Sequence, residues 1–209
     1  KKKDNLMTAA SKQAIRINTP EVAVNADTFL PPIENPKNLI MKVLYALMRR
    51  QFGTVITPLR VFSVRMPLAF GQWYSKSYSL DKKLTLPEET VTLVRQQVSR
   101  INVCEFCMDA KRWHAINTSM NMAKFDALAD YRTNPLFSEK ERALLDYVSE
   151  LTTDKKVNKP TFDRLAAHYS ELEICEVVFL VGSEFLSNIS NAGLNIHSDM
   201  LCSISSKKR

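Results

Sequence analysis

Residues 93–110 read LVRQQVSRINVCEFCMDA, and this stretch decides the fold. It joins the end of one helical segment, residues 87–102, to the start of another that runs to about Ile116. Asn102 is the expected N-cap of the second helix, with Glu105 at its third position. Cys104 and Cys107 then fall one turn apart on a single helix face, close enough to close a small disulfide. The free backbone N–H groups and the positive dipole end of a helix stabilise a thiolate there. The pair is a candidate redox dithiol.

Helix signals continue on both sides. Thr85-Leu86-Pro87-Glu88 reads as a capping box with proline at the first helical position. Ser138-Glu139-Lys140-Glu141 and Ser170-Glu171-Leu172-Glu173 repeat the pattern, and Lys159-Pro160 opens a short helix to about Tyr169. Residues 38–50 carry helical spacing and stop near Gly53, while 58–78 form one or two helices broken near Pro67. No segment alternates with period two, so the chain reads as all-α. Residues 1–36, with Pro20, Pro31, Pro32 and Pro36, read as an extended N-terminal arm anchored by Phe29 and Leu30. The expected organisation is this arm, N-terminal helices over 37–83, a helical core over 84–200 and a basic tail over 201–209. Residues 174–189 are apolar almost all round, which predicts a helix buried on all sides, either centrally or in a subunit interface. Glu184 and Asn188, four apart on that helix, then need hydrogen-bonding partners or a solvent face.

The chain has 209 residues, enough for one domain with a sizeable core. Four glycines and no G-x-G-x-x-G or G-K-[ST] leave a nucleotide-binding loop without support. Six of the seven excess positive charges stand in Lys1, Lys2, Lys3, Lys207, Lys208 and Arg209, so the body is nearly balanced and no nucleic-acid partner is expected. No apolar run approaches the roughly 18–20 residues that span a bilayer, and no signal peptide is read at the start, so no membrane is expected. Four cysteines without secretory signals suit a reducing, cytoplasmic compartment. A zinc site is not expected: Cys175, Cys202, His168 and His197 form no second paired motif.

The run Ile101-Asn102-Val103-Cys104-Glu105-Phe106-Cys107, after a helix carrying Leu93-Val94, resembles the carboxymuconolactone decarboxylase superfamily. The alkylhydroperoxidase D-like branch, with Cys-x-x-Cys on a helix, is the more similar. The resemblance covers roughly residues 85–195. It implies an all-α helical bundle, a homo-oligomer, no cofactor and reduction of a hydroperoxide or other small-molecule substrate, with an external dithiol restoring the thiols. Active members assist the cysteines with a His four residues after the second and a Glu about twelve before the first. Those positions are Lys111 and Thr92 here, and a further His found between the cysteines in some members is Phe106. His114 shares the face of Cys107, yet seven residues of helix rise about 10.5 Å, too far for a direct hydrogen bond. Lys111, one turn beyond Cys107, acts on a thiolate electrostatically. Glu88, one turn before Thr92, is an auxiliary candidate that the capping box also explains.

Two readings stay open from these residues. In one, the chain is a thiol–disulfide oxidoreductase with alkylhydroperoxidase-like activity through Cys104 and Cys107. In the other, it is a catalytically degenerate oligomeric scaffold or redox-sensing binding protein of the same fold. Lactone decarboxylation finds no separate acid–base constellation. Cys202 is either a resolving thiol or a plain free one, while Cys175, Trp113 and Met108 are expected in the core.

Overall fold

The computed structural model describes residues 25–206. The chain runs through α1 (Leu39–Phe52), a π-helical turn (Leu59–Ser63), α2 (Ala69–Asp81), α3 (Glu88–Ile101) and α4 (Glu105–Asn117). It continues through α5 (Met122–Asp126), a 3-10 turn (Leu128–Asp130), α6 (Glu139–Asp154), α7 (Lys159–Ala166), α8 (Glu171–Ala192) and α9 (Leu201–Ser206). The described residues contain no strand, as the absence of period-two patterning predicts. Lys1–Lys3, Pro20 and Lys207–Arg209 lie outside the described residues.

The helix ends follow local chemistry. Asn38 caps α1 by accepting from the Ile40 amide, and Gly53 ends it at φ 80°, a conformation that favours glycine. Ser138 and Glu141 form a reciprocal capping box at α6, as do Ser170 and Glu173 at α8. Two expected caps are overturned. Thr85 does not cap α3; its amide and hydroxyl donate to Glu176 at 2.8 and 3.0 Å, which leaves Pro87 at the N-cap position. Asn102 ends α3 instead of opening α4, because Val103 at φ 54° intervenes and Cys104 takes the N-cap place.

α3 is the central element. Val91, Val94 and Val98 pack against Leu144 and Val148 of α6 and against Val177, Leu180 and Val181 of α8. Leu93 turns to Ala115 of α4 and to Phe125, Phe137 and Leu145. A further cluster gathers Met41 and Tyr45 of α1 with Ile56, Val61, Ile196 and Leu201 around Cys104 and Cys107. The N-terminal segment is held by polar groups rather than by its apolar ones. Asn25 donates to Asp199 at 2.9 Å and Thr57 at 3.2 Å, whereas the Phe29 side chain is exposed and only its amide docks, on the Leu194 carbonyl.

The apolar helix over 174–189 is not buried on all sides. Its Ile174, Val177, Leu180 and Val181 face the core, but Cys175, Val178, Phe179, Leu186 and Ile189 are exposed, so Cys175 is not the core residue its sequence context predicts. Two carboxylates fasten the buried face. Glu176 also accepts from the Leu86 amide at 3.0 Å, and Glu184 accepts from Arg95 of α3 at 2.9 Å and from the Ser99 hydroxyl at 2.8 Å.

Leu180 is fully buried between α3 and α6, so Leu180→Ala should lower unfolding free energy by about 2–5 kcal/mol in urea titrations. Burial pushes the Glu184 carboxyl up, but Lys111, Arg95 and the Ser99 hydroxyl outweigh it and hold the group below the usual carboxylate range. Its stabilisation is therefore complete above the unfolded value of about 4.3 and is lost as pH falls through the lower folded value. Stability measured against pH should decline less steeply on the acid side in Glu184→Gln than in the wild type; equal slopes would exclude Glu184 as a contributor.

Candidate active site

The turn between α3 and α4 sets the position of the two sulfurs. Cys104 donates its amide to the Ser99 carbonyl at 2.9 Å and accepts from the Met108 amide at 2.9 Å, which ties the end of one helix to the start of the next. The connection passes through Val103 at φ 54°, a left-handed conformation that a β-branched residue adopts only at a cost of about 1–3 kcal/mol. Cys104 and Cys107 are joined in a disulfide with their Cα atoms 5.3 Å apart, and they are 5% and 3% exposed. The cysteine pair thus stands at the N-terminus of a helix, where the sequence places it.

α8 lies over this pair with a polar stripe. Glu184, Asn188 and Asn191 stand on one buried face of the helix at spacings of four and three. Asn191 donates its side-chain amide to Cys107 Sγ at 3.3 Å and to Cys104 Sγ at 3.7 Å. Asn188 donates to Ser99 Oγ at 3.3 Å and accepts from Asn102 at 3.0 Å. Ser99 in turn donates to Glu184. The sequence marks Glu184 and Asn188 as needing partners, and these are the partners. Asn191 is the residue the sequence reading missed; the signal was the continuation of the same stripe one further turn along an apolar helix.

Lys111 is where α4 meets this stripe. It stands one turn beyond Cys107, and its Nζ lies 3.5 Å from Glu184 Oε2. The position at which the resemblance places a histidine thus carries a cation held on a buried carboxylate. Thr92, at the expected Glu position, is buried and donates its hydroxyl to the Glu88 carbonyl. Glu88 is not a capping-box residue: its carboxylate meets His114 Nε2 at 2.9 Å in a pair partly open to solvent. The structure therefore joins Cys104 to Cys107, places Lys111 one turn beyond Cys107 with its Nζ on Glu184, and joins Glu88 and His114 as a second pair.

Lys111, Glu88 and His114 border one cavity of about 480 Å³, whose lining includes neither cysteine. Its apolar side includes Phe52 and Trp113, with ring centroids 4.5 Å apart, and Leu86 and Val91; its polar side includes Lys111, Arg95, Glu88 and His114. Arg95 Nε is buried and has no hydrogen-bond partner, while its two terminal nitrogens hold Glu184 and Asp81. A larger cavity of about 590 Å³, lined by Arg132, Asp146 and Arg164 among others, borders neither cysteine nor Lys111. Cys202 stands on another side of α4, where its amide donates to Asp109 Oδ1 at 3.3 Å and its thiol to the Asp109 carbonyl at 3.8 Å. Burial, then Asp109, pushes that thiol up to about 11, which disfavours it as a resolving thiolate.

No family model matches the chain. An uncharacterized protein of Escherichia coli (strain K12), YnjA, is 31% identical over 185 residues, covering 86% of this chain and 98% of YnjA. Among solved structures, a peroxidase-related protein from Ralstonia eutropha JMP134, described as an alkylhydroperoxidase AhpD core, matches with a TM-score of 0.70 at 16% identity, over 83% of this chain and 94% of that one. The debrominase Bmp8 matches with a TM-score of 0.68 at 21% identity, over 83% and 96% of the two chains. The chain thus belongs to the same family as YnjA, and its fold is that of the alkylhydroperoxidase D-like branch of the carboxymuconolactone decarboxylase superfamily.

Proposed function

We propose that this chain is a thiol–disulfide oxidoreductase that reduces hydroperoxides through Cys104 and Cys107, works as a homo-oligomer and is restored by an external dithiol. The observation that carries the reading is Lys111, held on the buried Glu184 one turn from Cys107 and bordering the cavity. A dithiol with a cationic proton donor one turn along the same helix has the groups that peroxide cleavage needs.

In the reduced state Cys107 is the attacking sulfur. It has the shorter contact from Asn191, it sits in the first turn of α4, and Lys111 follows it on the same face. Its thiolate attacks one peroxide oxygen; the S–O bond forms as the O–O bond breaks. The departing alkoxide takes a proton from the Lys111 ammonium and leaves as an alcohol. Cys107 is then a sulfenic acid. The Cys104 thiol attacks that sulfur, the disulfide forms, and its proton leaves with the hydroxyl as water. An external dithiol supplies two electrons and two protons to reopen the disulfide; one proton stays on Cys104 and the other restores the Lys111 ammonium, leaving Cys107 as thiolate. Arg95, whose buried Nε has no hydrogen-bond partner, borders the same cavity and is a candidate to hold a peroxide oxygen.

The burial of both sulfurs favours a second reading, a redox-sensing binding protein whose disulfide forms and opens without turnover. Steady-state consumption of cumene hydroperoxide with dithiothreitol as reductant separates the two. The wild type should turn over and Cys107→Ser should not, while Cys104→Ser mixed with peroxide in the absence of dithiothreitol should consume one equivalent and hold a sulfenic acid that dimedone traps. A wild type no faster than Cys107→Ser would leave the sensing reading standing. In the same assay Lys111→Met should lower kcat/KM by at least about 10-fold, because a positioned proton donor contributes about 10²–10⁴-fold. Lys111→His, which restores a titratable donor, should lose less.

A further inference from the structure

The exposed face of α8 is a second feature of that helix, and nothing in the chemistry above uses it. Leu172, Cys175, Phe179, Gly182, Leu186 and Ile189 are all exposed, with Leu172 and Ile189 58% and 67% accessible. Their spacing is three, four, three, four, three: a repeat of 3.5 residues over about 26 Å of helix. Beyond Glu173 the remaining acids on the helix, Glu176 and Glu184, are buried on the other side, so this face carries no charge from Cys175 onward. An uncharged apolar seam with the period of a helix–helix contact is not the solvent face of a lone domain.

The order of side chains along the seam identifies the occupant. Reversed and laid against itself, the seam pairs Leu172 with Ile189, Cys175 with Leu186 and Phe179 with Gly182. The largest side chain at the centre thereby meets the only residue without one, and a Cβ built on Gly182 would meet no atom within 4 Å, so the space there is open. Each remaining pair sets an apolar side chain against an apolar side chain. A surface complementary to its own reversal is what an isologous two-fold contact requires.

We infer that α8 is the centre of a two-fold interface between copies of this chain, with the two helices antiparallel and crossing between Phe179 and Gly182. The inference rests on the homo-oligomer part of the proposed function and adds its surface and register. The buried and exposed faces of α8 then have separate tasks. One holds Glu184, Asn188 and Asn191 at the disulfide, and the other holds the partner helix.

Cross-linking reads the register directly. In this arrangement two Cys175 residues are displaced by eleven residues, about 16 Å along the axis, beyond the roughly 7 Å between Cα atoms that a disulfide spans. In a Cys202→Ser background, mild oxidation or a short bis-maleimide should leave Cys175 unlinked between copies. Adding Leu186→Cys places a thiol opposite Cys175 and should give a covalent dimer. Adding Leu172→Cys, on the same exposed seam but opposite Ile189, should not. Light scattering should show Phe179→Glu as a smaller species than the wild type. A wild type that is monomeric overturns the inference. An oligomer in which Leu186→Cys and Leu172→Cys cross-link equally, or neither does, overturns the register while leaving the homo-oligomer intact. Both outcomes are distinct from loss of peroxide turnover, which tests the chemistry alone.

Discussion

Burying the Glu184 carboxylate is the constraint on which the rest of the arrangement depends. An ionised carboxylate at 1% exposure costs several kcal/mol unless it is paired and hydrogen-bonded. Its partners come from different elements: Arg95 and Ser99 from α3 and Lys111 from α4. One acid on α8 therefore fixes where three helices meet. Satisfying it brings the α3–α4 turn under α8, and the next two polar residues of the same face, Asn188 and Asn191, arrive over that turn and over the sulfurs. Asp81 of α2 completes the set by taking the other terminal nitrogen of Arg95. The ion pair that holds the helices together also fixes the side chain of Lys111, which stands one turn beyond Cys107 on α4.

Much of this was legible in the sequence, for local reasons. Helix starts at Ser138 and Ser170, the stop at Gly53 and the short helix opened by Pro160 depend on neighbouring residues, and the structure reproduces them. The dithiol was legible because its spacing is local too. The misreadings share a cause, which is a distant partner competing for a local group. Thr85 looked like a cap, but Glu176, ninety-one residues away, claims it. Glu88 looked like the other half of that box, but His114 claims its carboxylate. Asn102 looked like the cap of α4, but Asn188 takes its side chain. Asn191 continues the stripe of Glu184 and Asn188, but that spacing says only that it is buried, not that the two sulfurs lie across from it.

α8 shows the same limit from another direction. Its composition announces burial, and burial on one face is what the chain alone supplies. The other face keeps Phe179, Leu186 and Ile189 open to solvent, with a 3.5-residue repeat that composition does not display. One face of the helix holds the cysteine pair and the other an apolar seam, which explains why so many of its residues are apolar and why Glu184, Asn188 and Asn191 share one buried side.

The claim that matters most is that Lys111 and the helix N-terminus, with Asn191, make Cys107 a reactive thiolate without a histidine. Burial opposes ionisation; the cation, the dipole and the amide donor favour it. The pH dependence of iodoacetamide alkylation at Cys107 in the reduced protein measures the balance directly. The account predicts a midpoint well below the free-thiol value of about 8.5, moving up in Lys111→Met. A midpoint at or above about 8.5, unchanged by that substitution, would contradict it.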